Sequence, residues 1–333
     1  MAYLSCEFVE NGICFLVDSV MICCYAMSIG HQGLCISPKF VGQELDWEEV
    51  INIKQEIRER FAKNDIPSAC LECPRLKKKE WKDKNKFNYI LINHWNNCNM
   101  KCIYCYTRDR KKEFNKMIPY KILPVLKDAV KNKMLTEDCW IDITGGEPLV
   151  LKEFPDLMKF IIEETTATVL VNTAGADYSK WIKKGLEQGR VSPTISLDAG
   201  TRETYKKIKG FDYFKKVINN VKKYQKGLDE VKNSLISLKY IFIPEINDNI
   251  DELQCWLNLV EELGIKNIKL EIEHEWYLKN KFVPENIREY IEYVKDFTHR
   301  YKCNLSYREL LVHIGYNKDE IHYIENGLWY NHN

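Results

Sequence analysis

The sequence predicts an α/β fold, namely a partial (β/α)6 TIM-like barrel preceded by a small N-terminal cysteine-rich module. Short β-type apolar runs alternate with longer helical patterns, and several runs are continuously apolar, which is typical of parallel strands covered by helices. Seven of the thirteen cysteines precede residue 75. This uneven distribution predicts that the cysteine-rich segment is organised separately from the barrel.

Six strand–helix pairs make up the predicted barrel. The strands span 87–95, 139–144, 168–172, 194–197, 235–243 and 268–272. The helices span 119–134, 154–164, 179–188, 211–226, 251–263 and 284–302, and three of them are followed by a glycine that favours helix termination. We therefore divide the chain into a cysteine-rich module over 1–80, a barrel over 81–303 and a C-terminal extension over 304–333.

Composition and charge exclude several classes of protein. A hydrophobic content of 45% with 29% charged residues is typical of a globular chain, and not of a disordered or membrane-embedded one. The net charge of +1 favours neither nucleic acid nor a membrane as a partner. The apolar run over 13–29 contains Asp18 and follows Glu7 and Glu10, the wrong charge order for a secretion signal. We therefore expect a cytoplasmic protein, in which so many cysteines indicate metal or redox chemistry.

Three cysteines directly follow the first predicted strand of the barrel. Cys98, Cys102 and Cys105 are separated by three and then two residues. Thiolates at these intervals can surround one side of a metal centre, and three ligands leave an open coordination position, as in a working site. Spacing alone is compatible with a catalytic zinc ion and with a [4Fe–4S] cluster that has one free iron.

Further motifs stand at the ends of the later strands. Gly145, Gly146, Glu147 and Pro148 end the second strand, and related segments lie at 170–175, at 195–200 with Tyr205, and at 243–247. Together with the cysteine loop, these motifs resemble the radical S-adenosylmethionine (SAM) enzymes, in order, over about residues 87–275. The resemblance implies that a [4Fe–4S] cluster binds SAM and, when reduced, cleaves it. The resulting 5′-deoxyadenosyl radical would take a hydrogen atom from a substrate.

The second-strand motif carries the first SAM contacts that the resemblance implies. Glu147 would accept a charge-assisted hydrogen bond from the amino group of SAM, which is stronger than a neutral one. Gly145 and Gly146 would give the backbone room to approach the methionine moiety.

The remaining implied contacts come from other strand ends. Tyr104 and Ile243 would contact adenine, whereas Asn172 and Ser196 would hold the carboxylate or the ribose. Asp198 would contact ribose or serve as a catalytic acid or base toward the substrate. An alternative interpretation is that the Asp198 carboxylate caps the helix that follows it.

A second metal centre is predicted near the N-terminus. Cys70 and Cys73 have the spacing of a metal knuckle, and the upstream Cys6, Cys23 and Cys24 offer further ligands. A hairpin over 13–23 would present Cys23 or Cys24. The arrangement is similar to the SPASM auxiliary-cluster module of many radical SAM enzymes, although that module usually follows the barrel. We expect a second [4Fe–4S] cluster, with a structural zinc ion and unliganded cysteines as alternatives.

The sequence therefore predicts a radical SAM enzyme, in the broad sense an oxidoreductase, that acts on a peptide or a small amino- or sugar-containing metabolite. A one-electron donor such as flavodoxin or ferredoxin would reduce it, and the basic run over 108–116 is either its docking site or ordinary surface. Two alternatives are a sulfur-inserting enzyme that uses the auxiliary cluster as donor and a non-catalytic iron–sulfur or zinc protein. The motif at 145–148 disfavours the non-catalytic metal protein, because a structural metal protein needs no SAM site.

Overall fold

The computed structural model describes residues 2–23, 34–37, 40, 42, 44–71, 73, 75–82, 85–105, 120–280 and 282–307. The chain divides into two compact units. The first comprises Met1–Asn97 and Lys111–Val171, and the second comprises Cys98–Arg110 and Asn172–Asn333.

The first unit is built on a mixed sheet. Its strands are β1 (Ala2–Ser5), β2 (Gly12–Leu16), β3 (Val20–Met21), β4 (Cys35–Ser37), β5 (Lys77–Glu80), β6 (Phe87–Asn93), β7 (Leu135–Ile143) and β8 (Thr168–Thr173), within which the unit ends. The strand order of the sheet is β8-β7-β6-β2-β3-β4, with β1 and β5 forming a separate antiparallel pair. The strands β2, β6, β7 and β8 are parallel, whereas β3 and β4 continue the sheet antiparallel.

The longer helices of the first unit each bury one apolar face. The helices of this unit are α1 (Glu7–Asn11), α2 (Trp47–Ala62), α3 (Ser68–Leu71), α4 (Ile122–Lys131) and α5 (Phe154–Glu164), with a short 3-10 helix at Pro148–Val150. In α5, Leu157, Met158 and Ile161 are buried at the spacing of one helix face. Asp46 begins α2 by accepting hydrogen bonds from the backbone of Glu48 and Glu49, which satisfies two amides that lack helical partners.

The second unit continues the alternation of strands and helices. Its parallel strands, in both chain and spatial order, are β9 (Val191–Ser196), β10 (Ser237–Phe242), β11 (Asn267–Ile272) and β12 (Asn304–Ser306). Its helices are α6 (Lys180–Glu187), α7 (Arg202–Lys209), α8 (Phe214–Gln225), α9 (Glu230–Asn233), α10 (Ile250–Glu262), α11 (His274–Asn280) and α12 (Glu285–Tyr301). In the described parts of the chain, we find no helix whose length and apolar character would let it span a membrane.

The predicted α/β fold is confirmed. Each of the six predicted strands and six predicted helices forms within a few residues of its expected bounds. Among the elements that prediction missed are α2, α7 as a complete helix, and the strand β12, which pairs with β11 in the predicted C-terminal extension. Residues 308–333 of that extension lie outside the described residues.

The cysteine-rich segment shares a sheet with the first strand predicted for the barrel. The predicted hairpin forms, with Cys14 opposite Met21. On its other side β2 pairs in parallel with β6, from Gly12 opposite Tyr89 to Leu16 opposite Asn93. With β3 on one side and β6 on the other, β2 is an inner strand of this sheet, and all five of its residues are buried. The two compact units therefore do not divide at residue 80, and the predicted division into domains stays a prediction.

Candidate active site

The loop that carries Cys98, Cys102 and Cys105 is hydrogen-bonded to the end of α7. The backbone N–H of Lys101 donates to the carbonyl of Lys209 at 2.9 Å, and that of Ile103 donates to the carbonyl of Ile208 at 3.0 Å. Cys102 therefore lies between two anchored residues. All three cysteines are half-buried, and none of them is joined in a disulfide.

The donor set of this loop fits an iron–sulfur cluster. The backbone N–H of Met100 already donates to Cys98 Sγ at 3.3 Å, the kind of hydrogen bond that stabilises a thiolate ligand. Burial raises the pKa of the Cys102 thiol, and the nearby Lys209 ammonium acts in the opposite direction. Three thiols on one anchored loop thus supply ligands and leave an open position for a further ligand.

The glycines that follow β7 have a packing role within the first unit. Gly145 has φ +115°, and a Cβ there would stand 2.4 Å from the carbonyl oxygen of Trp95. A Cβ on Gly146 would stand 2.1 Å from the carbonyl oxygen of Asn97. Gly146 N–H donates to Trp95 O at 2.6 Å and Glu147 N–H to Asn97 O at 2.8 Å. Both glycines therefore permit a close backbone approach, and their contact with SAM stays a prediction.

Glu147 is held in a defined position by a hydrogen bond from the backbone of Leu149. Its side chain is 3% exposed, and Oε1 accepts a hydrogen bond from Leu149 N–H at 3.2 Å, at the start of the 3-10 helix. A buried carboxylate requires such partners because its desolvation is costly. The structure thus presents Glu147 as a fixed acceptor, and the predicted bond to the SAM amino group stays a prediction.

Two of the predicted adenine contacts meet in one apolar cluster of the second unit. Ile243, which directly follows β10, packs with Ile208 and Ile241, and Tyr104 packs against the same cluster. Asn172 and Ser196 lie at the carboxyl ends of β8 and β9, where each is half-buried. Their predicted contacts with the carboxylate or the ribose of SAM stay predictions.

A buried network joins the cysteine loop to Asp198. Tyr104 donates its hydroxyl hydrogen to Asp198 Oδ2 at 2.6 Å. Lys209 Nζ donates to the Tyr104 hydroxyl oxygen at 2.8 Å and also binds Asp198 Oδ2. Asp198 Oδ1 accepts from Ile241 N–H at 3.0 Å. Asp198 and Lys209 are 0% and 1% exposed, so this ion pair is excluded from water.

These contacts favour a positioning role for Asp198. Its backbone has φ +56°, a conformation that costs free energy in a residue other than glycine, and Asn247 Nδ2 donates to its carbonyl oxygen at 2.9 Å. The interpretation of Asp198 as the cap of the next helix is wrong, because the side chain of Thr201 accepts from Thr204 N–H and caps α7. Its contact with ribose or substrate stays a prediction.

Sequence reasoning missed Lys209. The last turn of α7 contains Lys206, Lys207 and Lys209, which resembles an ordinary solvated basic turn. The signal that would have found Lys209 is its position: Tyr205, Ile208 and Lys209 have the i, i+3, i+4 spacing of one buried helix face.

Four of the N-terminal cysteines predicted as ligands lie near one another. Cys6, Cys23 and Cys70 are buried in one apolar cluster, and Cys73 is half-buried. Burial raises the pKa of Cys6 to about 12 and that of Cys70 to about 11, and in both cases Cys23 and Cys73 raise it further. Such mutual effects require the thiols to lie within electrostatic reach. The fifth predicted ligand, Cys24, lies outside the described residues, as does the basic run over 108–116.

The side chains that the structure describes do not form a binding site for a single metal ion. Within the described ranges, no group of three or more Cys, His, Asp and Glu side chains is arranged to hold a metal ion. That arrangement is the one for a single ion, whose ligands converge on one point, whereas an iron–sulfur cubane binds each thiolate through a different iron.

Comparison with known proteins identifies relatives of this chain. The family model described as Radical SAM superfamily matches residues 92–254. The GTP 3′,8-cyclase of Vibrio parahaemolyticus is 26% identical over 196 residues, which cover 58% of this chain and 57% of that protein. A probable GTP 3′,8-cyclase of Methanocaldococcus jannaschii is 28% identical over 213 residues, which cover 62% of this chain and 68% of that protein. The chain thus matches little more than half the length of the Vibrio protein.

A solved structure shares the fold. Streptococcus suis SuiB bound to S-adenosylmethionine matches with a TM-score of 0.51 and 16% identity, covering 78% of this chain and 55% of SuiB. At this identity the likeness concerns the fold alone.

Proposed function

We propose, from the premise that the chain contains a radical SAM domain over residues 92–254, that it is a radical SAM enzyme acting on a peptide or a small amino- or sugar-containing metabolite. The observation that carries the proposal is the anchored loop with its three half-buried thiols, Cys98, Cys102 and Cys105. A [4Fe–4S] cluster bound there would supply the electron that cleaves SAM.

The residues of the chain would prepare this chemistry by binding and orientation. The backbone bonds of Lys101 and Ile103 would hold the thiols in place without using them. The apolar cluster around Ile243 and Tyr104 would offer adenine a surface from which water is excluded. Glu147, fixed by Leu149 N–H, would accept from the amino group of SAM.

The direct test is product formation. The protein, loaded anaerobically with iron and sulfide, is incubated with SAM and dithionite, and 5′-deoxyadenosine is measured by mass spectrometry. We expect 5′-deoxyadenosine that depends on dithionite. Its absence from protein that demonstrably carries a [4Fe–4S] cluster would contradict the proposal.

We expect Glu147→Gln to weaken SAM binding. The substitution keeps the volume but removes the charge that would face the SAM ammonium, and a hydrogen bond to a charged group contributes about 1.5–3 kcal/mol. The dissociation constant measured by calorimetry should therefore rise about tenfold to a hundredfold. Glu153→Gln is the matched control, since Glu153 also binds backbone N–H groups, those of Ile122 and Leu123. Equal dissociation constants for wild type and Glu147→Gln would mean that Glu147 does not contact SAM.

A second [4Fe–4S] cluster in the N-terminal segment is part of the proposal. Cys6, Cys23, Cys70 and Cys73 come from separate segments of the chain, and three of them are buried in the same apolar cluster. Thiolates in such surroundings are costly unless a metal neutralises them. We infer ligands at Cys6, Cys70 and Cys73, together with Cys23 or Cys24. We favour iron over zinc because a redox-inert zinc ion could not accept an electron from a substrate radical.

Iron content tests the second cluster. Reconstituted protein should bind about eight irons, and the Cys98/Cys102/Cys105→Ala variant should retain about four, since each cubane holds four. Cys139→Ala removes a buried thiol of β7 outside both sets and should keep the wild-type content. A triple variant that contains about one zinc and no iron would show that the N-terminal site is structural.

The sequence relatives favour a second substrate candidate. The Vibrio parahaemolyticus relative is named a GTP 3′,8-cyclase, so a purine nucleotide is the alternative to a peptide or a small metabolite. Adding GTP to the reaction should leave the amount of 5′-deoxyadenosine unchanged if our first proposal is correct. A GTP-dependent increase would favour the nucleotide.

The proposal includes a partner and a compartment. A one-electron donor such as flavodoxin or ferredoxin would supply the electron in the cell. We place the enzyme in the cytoplasm because thirteen cysteines in one chain are typical of metal or redox chemistry in a reducing compartment.

A further inference from the structure

The parallel strands of the second unit have one face that packs on helices and one that does not. Tyr240 of β10 packs against Trp256 of α10, with ring centroids 5.1 Å apart, and Phe242 packs against Tyr290 of α12 at 6.4 Å. Because successive side chains of a strand point to opposite faces, Lys239 of β10 lies on the other face. The inner face is our term for this face of the strands β9 to β12, opposite to α10 and α12.

Two lysines lie side by side on the inner face. Lys239 is directly opposite Lys269 of β11 in the parallel register. Lys239 Nζ donates to Glu271 Oε2 at 3.2 Å, and Lys269 Nζ donates to Thr194 Oγ1 of β9 at 2.9 Å. Within the four strands, the inner face thus carries two ammoniums and one carboxylate, a surplus of positive charge. Like charges directly opposite each other destabilise a sheet, so an anion bound between the two ammoniums would stabilise it.

Solvent reaches these charged side chains. Those of Lys239 and Glu271 are 17% and 30% exposed, and Lys269 is half-buried. Glu273, at the next inner position, is directed at the start of α11, where it accepts from Trp276 N–H. The inner face of a parallel α/β barrel is usually filled by branched apolar side chains. Accessible charges in their place are typical of a site that binds a charged ligand.

The two lysines lie close to the residues proposed to bind SAM. Ser196, which is predicted to hold the carboxylate or the ribose of SAM, is directly opposite Lys239. Ile241, the next inner residue after Lys239, packs in the apolar cluster with Ile243 and Tyr104. Two residues of a strand span about 7 Å. A substrate bound through Lys239 would therefore extend toward Tyr104 and the cysteine loop.

We propose that Lys239 and Lys269 bind a phosphoryl group of the substrate, which is then a phosphorylated small metabolite. The inference deepens the proposed function and rests on it. A phosphate monoester carries about −1.5 to −2 charges at pH 7 and three acceptor oxygens, so it can accept from both ammoniums at once. A single carboxylate, as at the end of a peptide, would neutralise only one of them. Partial burial strengthens the attraction, because less water screens the charges.

The test is a calorimetric titration of the reconstituted protein with inorganic pyrophosphate in the presence of SAM. Lys239→Gln and Lys269→Gln should each raise the dissociation constant of pyrophosphate about tenfold, because each removes a hydrogen bond between charged groups. Glu271→Gln removes the opposing charge and should lower that constant about threefold. Lys222→Gln changes an exposed lysine of α8 and should leave it unchanged. Unchanged pyrophosphate binding in both inner-face lysine variants would overturn the inference.

A second variant covers the case in which Lys239→Gln fails to fold. Lys239→Gln with Glu271→Gln removes both charges of the ion pair. It should bind pyrophosphate more weakly than Glu271→Gln alone, and equal binding would overturn the inference. The dissociation constant of SAM should stay within about twofold of wild type in all these variants. A tenfold rise would mean that the lysines bind SAM and not the substrate, which would also overturn it.

Competition identifies the source of the phosphoryl group. Ribose 5-phosphate should displace pyrophosphate and ribose should not, whereas stronger displacement by GTP would support a nucleotide as the carrier of the group. Equal displacement by citrate would overturn the phosphoryl assignment. Wild type that binds pyrophosphate but forms no 5′-deoxyadenosine would overturn the proposed function, and with it the role of the lysines in substrate binding. Wild type that forms 5′-deoxyadenosine but binds no pyrophosphate would overturn this inference alone.

Discussion

Cys102→Ala is expected to abolish 5′-deoxyadenosine formation while the protein remains folded. Cys102 is the middle one of the three proposed ligands, and a cluster would need all three thiolates if its fourth iron is kept free for SAM. The loop itself is held by backbone hydrogen bonds from Lys101 and Ile103, which do not involve the thiol. The substitution should therefore remove the cluster and leave the loop anchored to α7.

Mass spectrometry of the product and iron analysis measure this effect. Product should fall to background, and the iron bound at this loop should be lost, while the circular dichroism spectrum stays that of wild type. Cys255→Ala removes a half-buried thiol from α10 in the same unit and should retain wild-type turnover. Unchanged turnover in Cys102→Ala would exclude the radical SAM mechanism.

Lys209→Met is expected to lower the free energy of unfolding by about 3–5 kcal/mol, the usual cost of leaving one partner of a buried ion pair without the other. The side chains of Lys209 and Asp198 are 1% and 0% exposed, so water cannot compensate the remaining carboxylate. Tyr104 and Ile241 N–H would still donate to that carboxylate, which favours the lower end of this range.

Urea denaturation of matched variants measures the loss. Lys222→Met breaks an ion pair with Glu262 whose side chains are 52% and 59% exposed, and it should cost less than about 1 kcal/mol because solvent screens such pairs. Combining Lys209→Met with Asp198→Asn should recover much of the stability. If Lys209→Met and Lys222→Met have the same urea midpoint, the buried pair does not stabilise the fold.

The elements that prediction missed contain buried lysines or very few residues. In α2 the buried face includes Lys54, whose ammonium lies 4.9 Å from the centre of the Phe87 ring and donates to the Lys86 carbonyl. A charged residue on the buried face weakens the apolar periodicity from which helices are predicted. In α7, the buried Lys209 weakens the apolar periodicity in the same way. The strand β12 has three residues, too few for any period to be visible.

The candidate site was predictable where its chemistry depends on spacing within one segment. Cys98, Cys102 and Cys105 lie on a single loop, so their spacing indicates a metal centre directly. Contacts between distant segments were not predictable in this way. The approach of Gly146 to Asn97 and the pairing of Lys209 with Asp198 depend on the tertiary fold, which one sequence does not display.

The pairing of β2 with β6 has a consequence for any shortened chain. Ile90, Leu91 and Ile92 of β6 are buried between neighbouring strands. A fragment that begins after residue 80 would lack β2, and β6 would then expose a row of unpaired amides and carbonyls beside an apolar surface. Such an edge recruits strands from other molecules and leads to aggregation. The cysteine-rich segment thus supplies the strand that pairs with the edge of β6 and prevents β6 from pairing with strands of other molecules.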